Sequence, residues 1–160
     1  MTAPDVSIVI PVYNAARHLG ETLDSILGQT GTSIEVICVD DGSTDDGPAI
    51  LQAYEKRDPR VRVLRQTNSG SSQARNLGLS RASGSWICFV DADDLMAPDA
   101  LSLLARASRT DADIVYFDHL RFSSRVPSVT PSSSVSERTF NADDIRKLQS
   151  DCINRFASNT

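Results

Sequence analysis

Glutamate, lysine, histidine and cysteine are all scarce in this chain: its 160 residues include four Glu, two Lys, two His and three Cys. Cys38, Cys88 and Cys152 are too few and too scattered for a disulfide framework or a zinc site. Cys38 and Cys88 sit inside apolar runs, where a thiol behaves as a small buried hydrophobe. No apolar run approaches the ~20 residues that a membrane helix needs, and the first residues lack the basic, apolar, small-residue order of a signal peptide. The expectation is a soluble chain, or the soluble part of a larger one, in the cytoplasm or peripheral at the inner face of the membrane. Positive charge is also short. Sixteen basic against 21 acidic residues leave a net charge of −5, with a pI near 4.9. That excludes nucleic acid or an anionic membrane as a partner held by bulk charge.

What is present is aspartate. Seventeen of the 21 acidic residues are Asp, and seven of these fall in two clusters, Asp40-Asp41…Asp45-Asp46 and Asp91-Ala92-Asp93-Asp94. Aspartate is a poor helix-interior residue but serves well at caps, turns and cation sites. Clustered in this way, it marks local chemistry rather than a generic acidic surface.

The chain has the length of about one domain. Val6–Val12, Ile34–Val39, Val61–Leu64, Trp86–Val90 and Ile114–Phe117 read as strands, most of them apolar enough to be covered on both faces. Helical patterns lie between them. Leu19, Leu23, Ile26 and Leu27 form one stripe, Pro48 opens a second helix carrying Ile50, Leu51 and Tyr54, Ser72–Arg81 forms a third, and Pro98-Asp99 opens a fourth with Leu101 and Leu104. Strand–helix alternation of this kind predicts an α/β fold, a Rossmann-like, doubly wound and mostly parallel sheet. Residues 1–120 would form this core, residues 121–140 a Ser/Thr/Pro-rich loop, and residues 141–160 a C-terminal helix capped by Asn141.

Open α/β sheets bind ligands outside the carboxyl ends of their strands. The four strand ends lead into Pro11-Val12-Tyr13-Asn14, Asp40-Asp41-Gly42-Ser43-Thr44-Asp45, Asn68-Ser69-Gly70-Ser71-Ser72 and Asp91-Ala92-Asp93-Asp94. Every unusual polar cluster of the first hundred residues therefore lands on one rim. Three carboxylates within Asp91–Asp94 repel one another by about 1–3 kcal/mol per pair at ~5 Å, a cost that a divalent cation removes. Hard oxygen ligands suit Mg²⁺ or Mn²⁺, with Asp93 as first-choice ligand and Asp91 beside it. A solvated helix cap is the alternative for such a turn, and the company of the other three clusters favours the metal. Asp40 and Asp41 stand where a carboxylate can accept from a base or ribose, whereas Thr44, Asp45 and Asp46 suit the cap of the Pro48 helix. Pro11 ends strand pairing and turns Tyr13 and Asn14 outward, Tyr13 to stack on a base and Asn14 to face the cleft, cap the next helix, or both. Arg75, behind the Gly70 loop, suits a diphosphate, or pairs with the aspartates, or does both. Of the two histidines, His18 and His119, only His119 follows a strand, and a lone histidine is most simply structural. Trp86 reads as core.

The segments Ser7–Asn14 (SIVIPVYN), Val39–Asp45 (VDDGSTD), Asn68–Leu79 (NSGSSQARNLGL) and Phe89–Asp94 (FVDADD) resemble, in order, the motifs of the family 2 glycosyltransferases. The resemblance covers roughly Val6 to Asp99. It implies a GT-A fold and inverting transfer of a sugar from a nucleotide-diphosphate sugar, usually a UDP-sugar, to a saccharide or other hydroxyl acceptor, with Mg²⁺ or Mn²⁺. It further implies that Pro11, Val12, Tyr13 and Asn14 line the nucleoside pocket and that Asp40 and Asp41 approach the base. Arg75 would meet the diphosphate, Asp91 and Ala92 the ribose side, and Asp93 the metal. The family's catalytic base lies well downstream of D-x-D on the acceptor side, which here is short or missing. Asp143 and Asp144 look like first-turn helix residues instead, so the base is expected beyond Thr160. The alternative is a nucleotide-sugar-binding module or fragment without transfer activity. A nucleotidyltransferase would need a Gly-rich basic loop after the first strand, and Pro11-Val12-Tyr13-Asn14 is not one.

Overall fold

The computed structural model describes residues 3–107 and Val115. The strand expected at Ile114–Phe117 (apart from Val115), the Ser/Thr/Pro-rich stretch, the helix from Asn141, and His119, Asp143 and Asp144 lie outside the described residues.

Chain order is β1 (Val6–Val12), α1 (Ala16–Leu27), β2 (Ile34–Asp40), α2 (Gly47–Arg57), β3 (Val61–Arg65), α3 (Ser71–Leu79), β4 (Trp86–Phe89) and α4 (Ala100–Ala107). The strands form one parallel sheet in the order β3-β2-β1-β4. Alternation along the strands sorts their side chains into two layers. Val6, Ile8, Ile10 and Val12 of β1, with Val36 and Cys38 of β2, pack against Leu19, Leu23 and Ile26 of α1, Leu51 of α2, and Leu101 and Leu104 of α4. Ile37 and Val39 face the other way, onto Ala74 of α3. Helices therefore cover both faces, and the sheet is doubly wound, as its continuous apolar strands require. Trp86 is half-buried against the larger layer, as expected of a core residue.

Two positions on α3 need glycine. Gly70 precedes the helix at φ 88°, a left-handed backbone that side chains rarely adopt. A Cβ on Gly78 would lie 2.4 Å from Val9 Cγ1, so only hydrogen there lets α3 settle onto β1. α3 starts and ends earlier than its pattern predicts, because Arg81 N–H donates to the Gly78 carbonyl (3.0 Å) and Ala82 N–H to that of Leu79 (3.2 Å), closing a tight turn. α4 begins later than expected, at Ala100 rather than Pro98-Asp99, with the Asp99 carbonyl accepting from Leu103 N–H at 3.1 Å. No helix among the described residues is long and apolar enough to cross a membrane.

Candidate active site

The sheet runs β1 to β2 to β3 in one direction, then returns to place β4 on the other side of β1. That reversal opens a crevice beyond the carboxyl ends of β1 and β4, the usual ligand position in such folds. A cleft of about 500 Å³ lies there. Pro11 and Val12 line it from β1, Tyr13 and Asp41 from just past the ends of β1 and β2, Arg75 from α3, and Asp91, Ala92 and Asp93 from the loop after β4. Eight of the sequence-named residues are thereby brought together. Asn14 and Asp40 are not among the lining residues.

Local bonding explains the division. Asn14 adopts φ 50°, which asparagine tolerates better than most residues, and its N–H donates to Ser43 Oγ (3.1 Å). Its side-chain carbonyl accepts from Thr44 N–H (2.8 Å) and Thr44 Oγ1 (3.3 Å), latching the β1 end to the β2 end. Asn14 is not the cap of α1, whose N-cap position is Ala15. Asp45 does that work from the neighbouring loop, with one oxygen accepting from Ala16 N–H (2.8 Å) and the other from Gly47 N–H at the start of α2 (2.9 Å). Asp40, by contrast, is buried. It accepts from Ser43 N–H (2.9 Å) and lies 3.9 Å from Arg65.

Asp41 is buried, 3% exposed, and fully engaged. Its carboxylate accepts from Gln66 Nε2 (2.7 Å), Ser69 N–H (2.8 Å) and Gly70 N–H (2.9 Å). Burial pushes this carboxyl's pKa up, but the three donors outweigh it and hold it below the ordinary carboxylate value. Asp41 thus folds the Gln66–Gly70 loop over the cleft wall, a role its motif did not disclose.

At the other end, Arg75 pairs with Asp91 at 2.5 Å, with both side chains partly exposed. Asp93 is exposed and makes no hydrogen bond or ion pair among the described residues. No cluster of three or more His, Cys, Asp or Glu able to hold a metal occurs among the described residues. Two hard carboxylates instead fit a Mg²⁺ or Mn²⁺ that keeps waters and takes its remaining ligands from a phosphate. Tyr13, 51% exposed, offers its ring to the cleft. Sequence reasoning missed His18, which lines the cleft from α1, because a lone histidine in a helix carries no pattern. Cys38 is inert, its thiol pushed up to about 12 by burial and, less strongly, by the charge of Glu55.

The geometry finds counterparts among known proteins. The chain is 41% identical over 119 residues to glycosyltransferase GlyG of Streptococcus pneumoniae, covering 73% of this chain and 40% of that protein. The structure superimposes on S. aureus TarS 1–349 in complex with UDP with a TM-score of 0.60 and 33% identity, over 64% of this chain and 31% of that one. It also superimposes on the mannosyltransferase PcManGT from Pyrobaculum calidifontis in complex with GDP-Man and Mn²⁺, with a TM-score of 0.58 and 30% identity, over 64% and 31%. The chain therefore spans less than half the length of these relatives. Residues 7–159 match the sequence model of glycosyl transferase family 2, which takes in all four rim motifs, and the chain belongs to that family.

Proposed function

We propose that this chain is the donor-binding part of an inverting, divalent-metal-dependent glycosyltransferase. It takes a nucleoside-diphosphate sugar, a UDP-sugar in the first instance, and delivers the sugar to an acceptor hydroxyl. The observation that carries this reading is the meeting of Tyr13, Asp41, Arg75, Asp91 and Asp93 in one cleft at the strand-order reversal. UDP in TarS and GDP-Man with Mn²⁺ in the mannosyltransferase support it as ligands of similar folds.

In this reading the cleft residues divide the labour. Tyr13 stacks on the base, and the Asp41-held loop borders the nucleoside end. Arg75 leaves Asp91 for the diphosphate at little cost, because an exposed ion pair contributes at most about 1 kcal/mol. Asp93 and Asp91 would hold Mg²⁺ or Mn²⁺, which when bound would supply Lewis-acid stabilisation of negative charge on the diphosphate. The acceptor's proton requires a further carboxylate. Among the described residues the cleft supplies only Asp41, Asp91 and Asp93, all committed elsewhere.

Calorimetric titration with UDP, with and without Mn²⁺, tests the reading. Mn²⁺ is expected to tighten UDP binding about 10-fold or more, and Asp93→Ala to abolish that increment. Equal affinity in all four titrations would remove the metal from the mechanism. Metal-dependent binding without turnover on any hydroxyl acceptor would leave a binding module.

A further inference from the structure

α1 carries a polar stripe that its apolar periodicity hides. Thr22, Ser25 and Gln29 fall at i, i+3 and i+7, one face of a helix and its first continuation. All three reach the chain leaving β4. Thr22 Oγ1 donates to the Ala92 carbonyl at 2.9 Å, and Ser25 Oγ accepts from Met96 N–H at 3.0 Å. Gln29 Nε2 donates to the Ala97 carbonyl at 2.7 Å, while Gln29 Oε1 accepts from Leu101 N–H, an otherwise orphaned donor in the first turn of α4, at 3.1 Å. Thr22 is 0% exposed and Gln29 6%. Buried polar side chains of this kind are kept where they hold a particular backbone conformation. The backbone they hold includes the residue between Asp91 and Asp93.

We infer that Thr22, Ser25 and Gln29 are positioning residues that set the Asp91–Asp93 turn on α1 and so fix the geometry of its two carboxylates. The inference rests on the donor and metal reading above. Without the Thr22 hydroxyl the Ala92 carbonyl loses its partner, and the turn gains freedom that a cation must then remove on binding. The Asp41 bonds to Gln66, Ser69 and Gly70 involve none of these groups.

The test compares Thr22→Val, Thr22→Ser and Ser25→Ala with the parent chain by two readouts. Amide exchange in the segment 91–101 is expected to quicken about 10-fold in Thr22→Val, and at Met96 in Ser25→Ala, with exchange in β1 and β2 unchanged. The Mn²⁺ concentration that half-saturates the metal-dependent part of UDP binding should rise about 10-fold in Thr22→Val, while metal-free UDP affinity stays level. Thr22→Ser, which keeps the hydroxyl, should restore both. Unchanged exchange in 91–101 for both Thr22→Val and Ser25→Ala overturns the inference, as does faster exchange spread evenly over the sheet. A parent chain that binds no UDP would sink the donor reading alone, leaving the exchange measurement to decide the positioning claim.

Discussion

Asp41 is the residue on which the cleft wall hangs. It receives three donors, two of them backbone N–H groups, and its charge is what they are aimed at. In Asp41→Asn, an NH₂ would face N–H donors at one of the two oxygen positions. The expected cost is about 1–3 kcal/mol, the range for stranding a buried polar group. The pH dependence follows from the lowered carboxyl. A depressed folded pKa contributes stability that is complete above the ordinary value of 3.8 and drains away as pH falls toward the folded value. Urea midpoints measured from neutral pH down to about pH 3 should therefore converge for the parent and Asp41→Asn as acid is added. A constant gap across that range would mean that the Asp41 charge does not hold the loop. The sequence could not separate Asp41 from its neighbour. Both carboxylates follow the same apolar run, and only the turn made by Gly42 and Ser43 sends Asp40 inward to Ser43 N–H and Asp41 toward the cleft.

At the scale of elements, the strands and helices within residues 3–107 were legible in the sequence. The covered central strands β1 and β2 must be nearly continuously apolar, the edge strands β3 and β4 keep β-rich runs, and the helices must be striped. Their ends moved by a residue or two where turns compete, as at Arg81 and Asp99. Asp45 was legible as a cap of the Pro48 helix, but the patterns left out most of what one element does for another: the Thr22–Ser25–Gln29 stripe, the second Asp45 bond to Ala16 at the start of α1, and the Asp41 clamp. A hydrogen bond across 70 residues has no periodicity to betray it. Gly78 shows the same limit. Mid-helix glycine reads as a weakness costing about 1 kcal/mol relative to alanine. In the fold, an alanine methyl would meet Val9 Cγ1 at 2.4 Å and Val39 Cγ2 at 3.3 Å. Overpacking of that kind costs typically 1–3 kcal/mol, which outweighs the gain in propensity. Gly78→Ala should therefore destabilise the fold by about 1–2 kcal/mol, read by denaturant unfolding, and weaken UDP binding by lifting Arg75 with α3. Val9→Ala in the same chain should recover part of both losses. A stabilised Gly78→Ala protein would show that α3 does not sit this close to the sheet.

Within the described residues, one cleft joins two chemically different groups, an aromatic and loop-built part at Tyr13 and Asp41 and a charged part at Arg75, Asp91 and Asp93. That joint position was foreseeable, since the strand-end rule sends all four polar clusters to one rim without any knowledge of strand order. The strand order adds the reason for a crevice: β4 returns beside β1, so the Pro11–Tyr13 turn and the Asp91–Asp93 turn become neighbours. The two parts should be separable by ligand. Any ligand that binds only the folded chain stabilises it by about 2.7 kcal/mol at 100 times its dissociation constant. On the proposed reading uridine would engage the aromatic part alone, so its stabilising shift in thermal unfolding should fall in Tyr13→Ala and survive Asp93→Ala. UDP with Mn²⁺ would engage both parts, so its shift should fall in each variant. Stacking of one base is worth roughly 1–3 kcal/mol, enough to make the Tyr13 effect measurable. If Tyr13→Ala retained the full uridine shift, the base would have to lie elsewhere in the cleft. If Asp93→Ala lost the uridine shift as well, the two parts would be one cooperative unit rather than a nucleoside site joined to a metal site.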